Sequence, residues 1–179
     1  MALEIERRFL VTGEAWRADV HWVAELQQGY LQARDDGLTT RIRLQQDGTG
    51  GEQAWLTIKA VPDQVASSAA RLEFEYPIPA ADGEALLALS SWRLEKTRHG
   101  LSLPEGEWVL DVFQGTNAPL VIAEVELLHP DQAISIPPWC SKELTGCHQL
   151  SNAALARHPF QSWDAQERLA LLSDSRGGC

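Results

Sequence analysis

A chain of 179 residues with 44% hydrophobic side chains has apolar material enough for one cored domain. No apolar run in it approaches the roughly 20 residues that a membrane-spanning helix needs. Its formal charge of −10, from 15 Lys and Arg against 25 Asp and Glu, excludes a general affinity for nucleic acid or an anionic membrane, both of which reward a basic surface.

The start carries no basic stretch followed by an apolar one, so a cytoplasmic protein is expected. Cys140, Cys147 and Cys179 are odd in number and lack metal-ligand spacing. They imply neither a zinc site nor a disulfide framework, and a protein that works reduced. Any anionic ligand must be met by a local cluster of cations.

In chain order, Glu4-Ile5-Glu6-Arg7-Arg8 runs directly into Phe9-Leu10-Val11. As a strand it puts Glu4, Glu6 and Arg8 on one face and Ile5, Arg7 and Phe9 on the other. Two carboxylates beside a cation suit a hard divalent metal with a phosphate; the alternative is an edge strand with a charged solvent face. Thr12 to Gln28 spaces Trp16, Val20, Val23 and Leu26 at helical intervals, which predicts a short helix with Thr12 as N-cap.

Gly29-Tyr30-Leu31 then opens a strand, Asp35-Asp36-Gly37 turns, and Thr39 to Leu44 returns with Arg41 and Arg43 on one face. Ala54 to Lys59 repeats the scheme with Thr57 and Lys59 together. A polar loop is expected from Pro62 to Ala70. Arg71-Leu72-Glu73-Phe74-Glu75-Tyr76 alternates strictly. Pro79 to Leu89 reads as a helix capped by Asp82 and packed by Leu86, Leu87 and Leu89.

Further strands carry Lys96 with Arg98, then Asp111, then Glu124 with Glu126. From Lys142 the pattern is helical, ending in an amphipathic helix from Asp164 to Ser173 with Leu169, Ala170 and Leu172. The whole reads as a single domain over 1–179 with a helical C-terminal extension from about 142 to 174.

Charged residues thus recur in i, i+2 pairs on strand after strand, against an aliphatic or aromatic opposite face. A dry core cannot hold them, since each buried ion costs several kcal/mol against a total stability of about 5–15 kcal/mol. The charged face must be wet. A closed sheet with apolar residues outward, covered by helices, places it around a solvent-filled lumen.

Glu4 to Val11, Thr40-Arg41-Ile42-Arg43, Leu56-Thr57-Ile58-Lys59, Arg71 to Pro79, Asp111-Val112-Phe113 and Ala123 to Leu127 together resemble the CYTH superfamily, the triphosphate tunnel metalloenzymes. The resemblance runs from Glu4 to about Asn152. It implies an α+β fold built on an eight-stranded antiparallel β-barrel, a tunnel with a charged lumen and flanking helices. It also implies dependence on Mg2+ or Mn2+ and a small-molecule substrate carrying a triphosphate.

By that resemblance the metal ligands are Glu4, Glu6, Glu124 and Glu126, with Asp111 and the Glu73/Glu75 pair as further ligands or water-orienting bases. Arg8, Arg41, Arg43, Lys59, Arg71, Lys96 and Arg98 become phosphate-gripping cations, and Glu6, Arg8, Glu73, Glu75 and Asp111 the catalytic set. A second reading makes Arg71 and Lys96 structural partners of Glu73 and Glu75. Tyr30 and Trp55 are expected in core or rim packing, Cys147 as an apolar filler, and the five scattered histidines without a role.

The chain departs from the family pattern in three places: Arg8 stands for Lys, Ala60 for Gly, and Leu144 to Asn152 lacks an acid near Cys147 and an Arg-Tyr pair near Gln149. The expected activity is hydrolysis of the terminal phosphate of inorganic triphosphate by a monomer or homodimer, with no nucleic-acid or membrane partner. Alternatives are a class IV adenylate cyclase, a thiamine or nucleoside triphosphatase, and a non-catalytic polyphosphate or nucleotide binder.

Overall fold

The computed structural model describes residues 3–34, 36–61 and 70–173. Strand β1 (Leu3–Val11) is followed by a 3-10 turn (Ala15–Asp19), then by β2 (Val20–Ala33), β3 (Thr39–Asp47), β4 (Glu52–Ala60) and β5 (Ala70–Ile78). After helix α1 (Ala80–Leu89) come β6 (Trp92–Leu101), β7 (Glu107–Phe113), β8 (Val121–Glu126) and β9 (Cys140–Glu143). The chain closes with α2 (Asn152–Arg157) and α3 (Ala165–Ser173).

All pairings are antiparallel, in the order β5-β4-β3-β2-β6-β7-β8-β1, and β1 pairs with β5 to close an eight-stranded barrel. The closing contact is staggered, setting Glu4 against Arg71, so β5 covers only the first part of that edge of β1. β9 takes the remainder, pairing Phe9 with Glu143 and Leu10 with Lys142. Arg7, on the outer face, fastens this added strand with two bonds to Glu143 at 2.9 and 2.8 Å.

Apolar residues on the outer faces form a jacket. Ile5, Phe9, Leu110, Ala123 and Val125 pack beneath Trp16 from the 3-10 turn and Trp139 from the segment before β9. α1 lies on the outer surface of β3 and β4, joining Leu87 to Ile42, Leu44 and Ala54. A third cluster fills one end of the barrel, where Tyr30, Leu94, Phe113 and Ile122 meet Leu150, Leu155, Trp163 and Leu171 from the helical tail.

Several expectations are corrected. The segment Thr12 to Gln28 is not a helix capped by Thr12; beyond the turn at Ala15–Asp19 it is β2. Two register shifts, between Val20 and Trp22 and between Tyr30 and Gln32, break its alternation, and its buried residues read Ala24, Leu26, Gln28, Gly29 and Tyr30. Pro79, not Asp82, occupies the N-cap of α1, and of its leucines Leu87 is buried while Leu89 lies open to solvent.

The expected helical start near Lys142 is strand β9, because Cys140 to Glu143 meets the free edge of β1. Among the described side chains of α3 Leu171 is buried and Leu169 exposed, and the expected packing of Ala170 and Leu172 lies outside them. Cys147 is buried in the cluster that holds Leu144, Leu150 and Leu155. The expected loop lies almost wholly in 62–69, outside the described residues, as does Asp35. Among the described residues no helix is long and apolar enough to cross a membrane.

Candidate active site

Strand alternation in a closed barrel sends every second side chain inward. The result is a cavity of about 1190 Å³ that reaches the rim carrying the turn between β2 and β3. β1 contributes Glu4, Glu6 and Arg8; β3 contributes Arg41 and Arg43; β4 contributes Lys59. β5 adds Arg71, Glu73 and Glu75, β6 adds Arg98, and β8 adds Glu124 and Glu126. Of the charged residues singled out in the sequence, only Lys96 and Asp111 stay off the cavity wall.

Two ionic networks organise these groups. In the first, Lys59 donates to Glu4 at 2.6 Å and pairs with Glu73 at 3.2 Å. Arg41 reaches Glu73 at 3.4 Å, Glu75 at 3.2 Å and the Thr57 hydroxyl at 3.0 Å, and that hydroxyl donates to Glu75 at 2.9 Å. Arg43 donates to Glu75 at 2.8 Å and rests over the Trp55 ring, 4.7 Å from its centre.

In the second, Arg98 makes two 2.8 Å bonds to Asp111 and a 2.9 Å bond to Glu124. Arg8 donates to Glu124 at 3.1 Å, and Lys96 is bonded to Asp111 and, at 3.4 Å, to the Asn152 amide oxygen. Lys96 and Asp111 have no exposed surface. They sit behind Arg98, toward the plugged end. Arg71 pairs with neither Glu73 nor Glu75, and Lys96 pairs with Asp111 instead, so the structural partnership weighed for these two cations is not the one formed.

Glu6 and Glu126 face each other across β1 and β8, and neither is bonded to a cation among the described residues. Burial pushes the Glu6 carboxyl up, and Glu124 and Glu4 add repulsion. Glu126 is raised by burial and then by Glu4, Glu107 and Glu6. Glu4 is raised as well, burial outweighing Lys59. Across the cavity the direction reverses. Burial alone would raise Glu124 and Asp111, but Lys96, Arg8 and Arg98 around the first, and Arg98 and Lys96 around the second, hold both below their ordinary values.

Burial lowers Lys96 to about 8 despite Asp111, and lowers Arg43 to about 10 with help from Arg41. The Nε atoms of Arg41 and Arg43 and the Nε2 of Gln28 are buried donors without an acceptor. One wall therefore has uncompensated negative charge and an adjoining wall has unused donors. The first attracts a cation and the second an anion rich in oxygen acceptors.

Among the described residues no three Asp, Glu, His or Cys are gathered closely enough to hold a metal ion by themselves. That suits an ion held by a few carboxylates with the remaining oxygens coming from phosphate, as Mg2+ commonly is.

The segment after β9 supplies a further stretch of wall. Thr145, Gly146, His148, Ser151 and Asn152 line the cavity, and Ser151 caps α2 by accepting the Ala154 N–H at 3.2 Å. His148, given no role from sequence, thus reaches the cavity. Thr57 was also passed over, although it shares the inward face of β4 with Lys59. Tyr30 packs against the helical tail with its hydroxyl on Gln28 at 3.4 Å, and burial pushes its phenol up to about 12.

A family model described as the CYTH domain matches residues 2–155. The chain is 38% identical over 157 residues to an inorganic triphosphatase of Nitrosomonas europaea, covering 86% of this chain and 96% of that protein. It is 30% identical over 165 residues to an inorganic triphosphatase of Acetivibrio thermocellus, covering 91% and 99%. Among solved structures, the inorganic triphosphatase NE1496 superposes with a TM-score of 0.55 at 36% identity, over 87% of this chain and 95% of that one. A protein from Hippeastrum, described as a putative adenylyl cyclase with a dominant triphosphatase activity, shares the fold at 14% identity, with a TM-score of 0.52 over 72% and 81% of the two chains.

Proposed function

The chain is a member of the CYTH-domain family, and from that premise we propose that it is a divalent-metal-dependent triphosphatase that hydrolyses the terminal phosphate of inorganic triphosphate inside its barrel. The observation that carries this reading is one cavity holding both the crowded acids Glu4, Glu6 and Glu126 and the cations Arg41, Arg43, Lys59, Arg71 and Arg98. An anion binder that used no metal would have no need for uncompensated carboxylates next to its ligand. Two relatives named inorganic triphosphatase, matched over nearly their full lengths, support the same substrate.

In this reading Glu6 and Glu126, bonded to no cation among the described residues, would hold Mg2+ or Mn2+ together with phosphate oxygens, with Glu4 and Glu124 beside them as the remaining candidate ligands. When bound, the ion neutralises charge on the non-bridging oxygens and activates water. Arg41, Arg43, Lys59, Arg71 and Arg98 grip the phosphates. The arginine forks offer paired donors to phosphate oxygens, and a charge pair at about 4 Å is worth on the order of 4 kcal/mol at the effective dielectric of a partly wet site. Arg71 has no acidic partner among the described residues and is open to an incoming phosphate. The unused Nε donors of Arg41 and Arg43 gain acceptors at the same moment.

Glu73 and Glu75 act mainly on other side chains, holding Arg41, Arg43 and Lys59 in place before substrate arrives. Asp111, anchored by Lys96, does the same for Arg98. Such pre-organisation is what phosphoryl transfer asks of a protein, since positioning and electrostatics supply most of its catalysis. Water attacks the terminal phosphorus, the bridging P–O bond breaks, and the terminal group departs as orthophosphate. The proton that water loses passes to the phosphate products, and pyrophosphate leaves with its charge met by the cationic wall.

The test is phosphate release from tripolyphosphate, ATP and thiamine triphosphate with Mg2+ or Mn2+. Tripolyphosphate is expected to be the best substrate, and Glu6→Ala to reduce turnover more than about 100-fold. Conversion of ATP to a cyclic nucleotide plus pyrophosphate, or tight metal-independent binding without release, would overturn the reading.

A further inference from the structure

Arg8 of β1 and the segment 144–152 meet in the fold. The Arg8 side chain is buried inside the barrel. Its Nε donates to Glu124 at 3.1 Å, and its terminal NH2 donates to the Leu150 carbonyl at 3.0 Å. The backbone of the same residue holds the same segment: the Arg8 N–H donates to the Thr145 hydroxyl at 3.1 Å, and its carbonyl accepts the Leu144 N–H at 2.7 Å. Leu150 is fully buried in the plug with Leu155, Trp163 and Leu171. It lies one residue before Ser151, the cap of α2.

We propose that Arg8 is a positioning residue that ties the Leu150 carbonyl, and with it the wall from Thr145 to Asn152, to the Glu124 carboxylate, so that the placement of the wall and the aim of that carboxylate form one structural variable. The proposal rests on the reading of Glu124 as part of the active site, and it removes Arg8 from the phosphate-gripping set. The chemistry requires arginine. A guanidinium carries Nε and NH2 donors at fixed separation on one plane, so one side chain serves a carboxylate and a backbone carbonyl in different directions. A lysine ammonium puts all its donors on one atom at the end of a flexible stem, and cannot reach both acceptors where they stand.

Arg8 alone makes three bonds to the stretch Leu144 to Leu150, two from its backbone and one from its guanidinium.

The decisive comparison is Arg8→Lys against the unaltered protein, with two readouts. Hydrogen exchange followed by mass spectrometry, without metal or substrate, is expected to show faster exchange of the Leu150, Ser151 and Leu155 amides, with the rest of the barrel unchanged. Steady-state hydrolysis of tripolyphosphate is expected to show kcat reduced on the order of tenfold with KM within about twofold.

Unchanged exchange in 144–157 overturns the tether whatever the kinetics. Faster exchange with unchanged kcat overturns the link to Glu124. A KM raised several-fold at constant kcat returns Arg8 to the phosphate-gripping set. Should the unaltered protein release no phosphate from tripolyphosphate, the proposed function fails alone, and the exchange experiment still decides the tether. Thr145→Val, which removes the hydroxyl that accepts the Arg8 N–H, is a second route to the same exchange change with the guanidinium intact.

Discussion

Lys96 and Asp111 lie side by side with no exposed surface, and each is tolerable only because the other is present. Asp111 answers two cations, Lys96 and Arg98, so neutralising it leaves Lys96 without a carboxylate and Arg98 with Glu124 alone. Asp111→Asn is expected to destabilise the metal-free protein by about 3–5 kcal/mol, as removal of one partner from a buried ion pair does. Glu126→Gln is the contrasting substitution, at an exposed carboxylate crowded by other acids. It should leave stability within about 0.5 kcal/mol of the original while reducing phosphate release. Urea unfolding in chelator measures both, and an Asp111→Asn protein of full stability would contradict the reading of this pair. The pattern of alternating charge put Lys96 and Asp111 on the correct face. Periodicity gives the face of a strand but not the depth along the barrel, so their place behind Arg98 was not legible.

At the level of elements, α1 is held against the barrel by close backbone approach. A Cβ added at Gly29 in β2 would meet the Ser90 hydroxyl at 2.5 Å and Leu87 at 2.7 Å. Gly29→Ala is therefore expected to push the end of α1 outward and cost about 1–3 kcal/mol, the range for overpacking a tight contact. Gly48→Ala, with open space around it, is the control. A thermal melt of the two variants checks this, and equal melting temperatures would mean that α1 shifts without penalty.

Gly29 also explains the main misreading of the sequence. Most strands were legible because Glu4 to Phe9 and Arg71 to Tyr76 alternate charge with apolar residues at period two. β2 has no charge at Ala24, Leu26, Gln28 or Tyr30, carries a glycine in its interior and bears two bulges. Its remaining apolar residues imitate helical spacing. β9 was hidden for another reason: four residues have too little pattern to declare a strand, and only the free edge of β1 makes them one.

For the molecule as a whole, the two sets of shifted carboxylates act on stability with opposite signs. Asp111, Glu124 and Glu143 titrate below their ordinary values in the folded state. Their stabilisation is present above the unfolded pKa and is lost as pH falls through the folded one. Glu4, Glu6 and Glu126 titrate above the ordinary 4.5, so between the two values the folded chain binds more protons than the unfolded chain. Stability then rises as pH falls toward 4.5.

Without metal, the urea midpoint followed from about pH 7 to about pH 4 should pass through a maximum on the acid side of neutrality and then decline. A midpoint that only falls on acidification would show that the crowded acids are relieved in some other way. The existence of a charged lumen was legible because so many ions cannot be buried dry. Which carboxylates are compensated was not, because compensation depends on cross-strand register, which joins Glu6 to Glu126 and Arg8 to Glu124.

Strand β1 is the seam of the barrel. It touches β5 over only three residues and otherwise waits for β8 and β9, and its bond from Arg7 to Glu143 spans 136 positions. Loops of that size close late, so β1 lacks its longest partner until β8 (Val121–Glu126) has emerged from the ribosome. A nascent chain arrested ahead of β8 would carry Glu6 and Arg8 on a strand whose register partners, Glu126 and Glu124, have not yet been made.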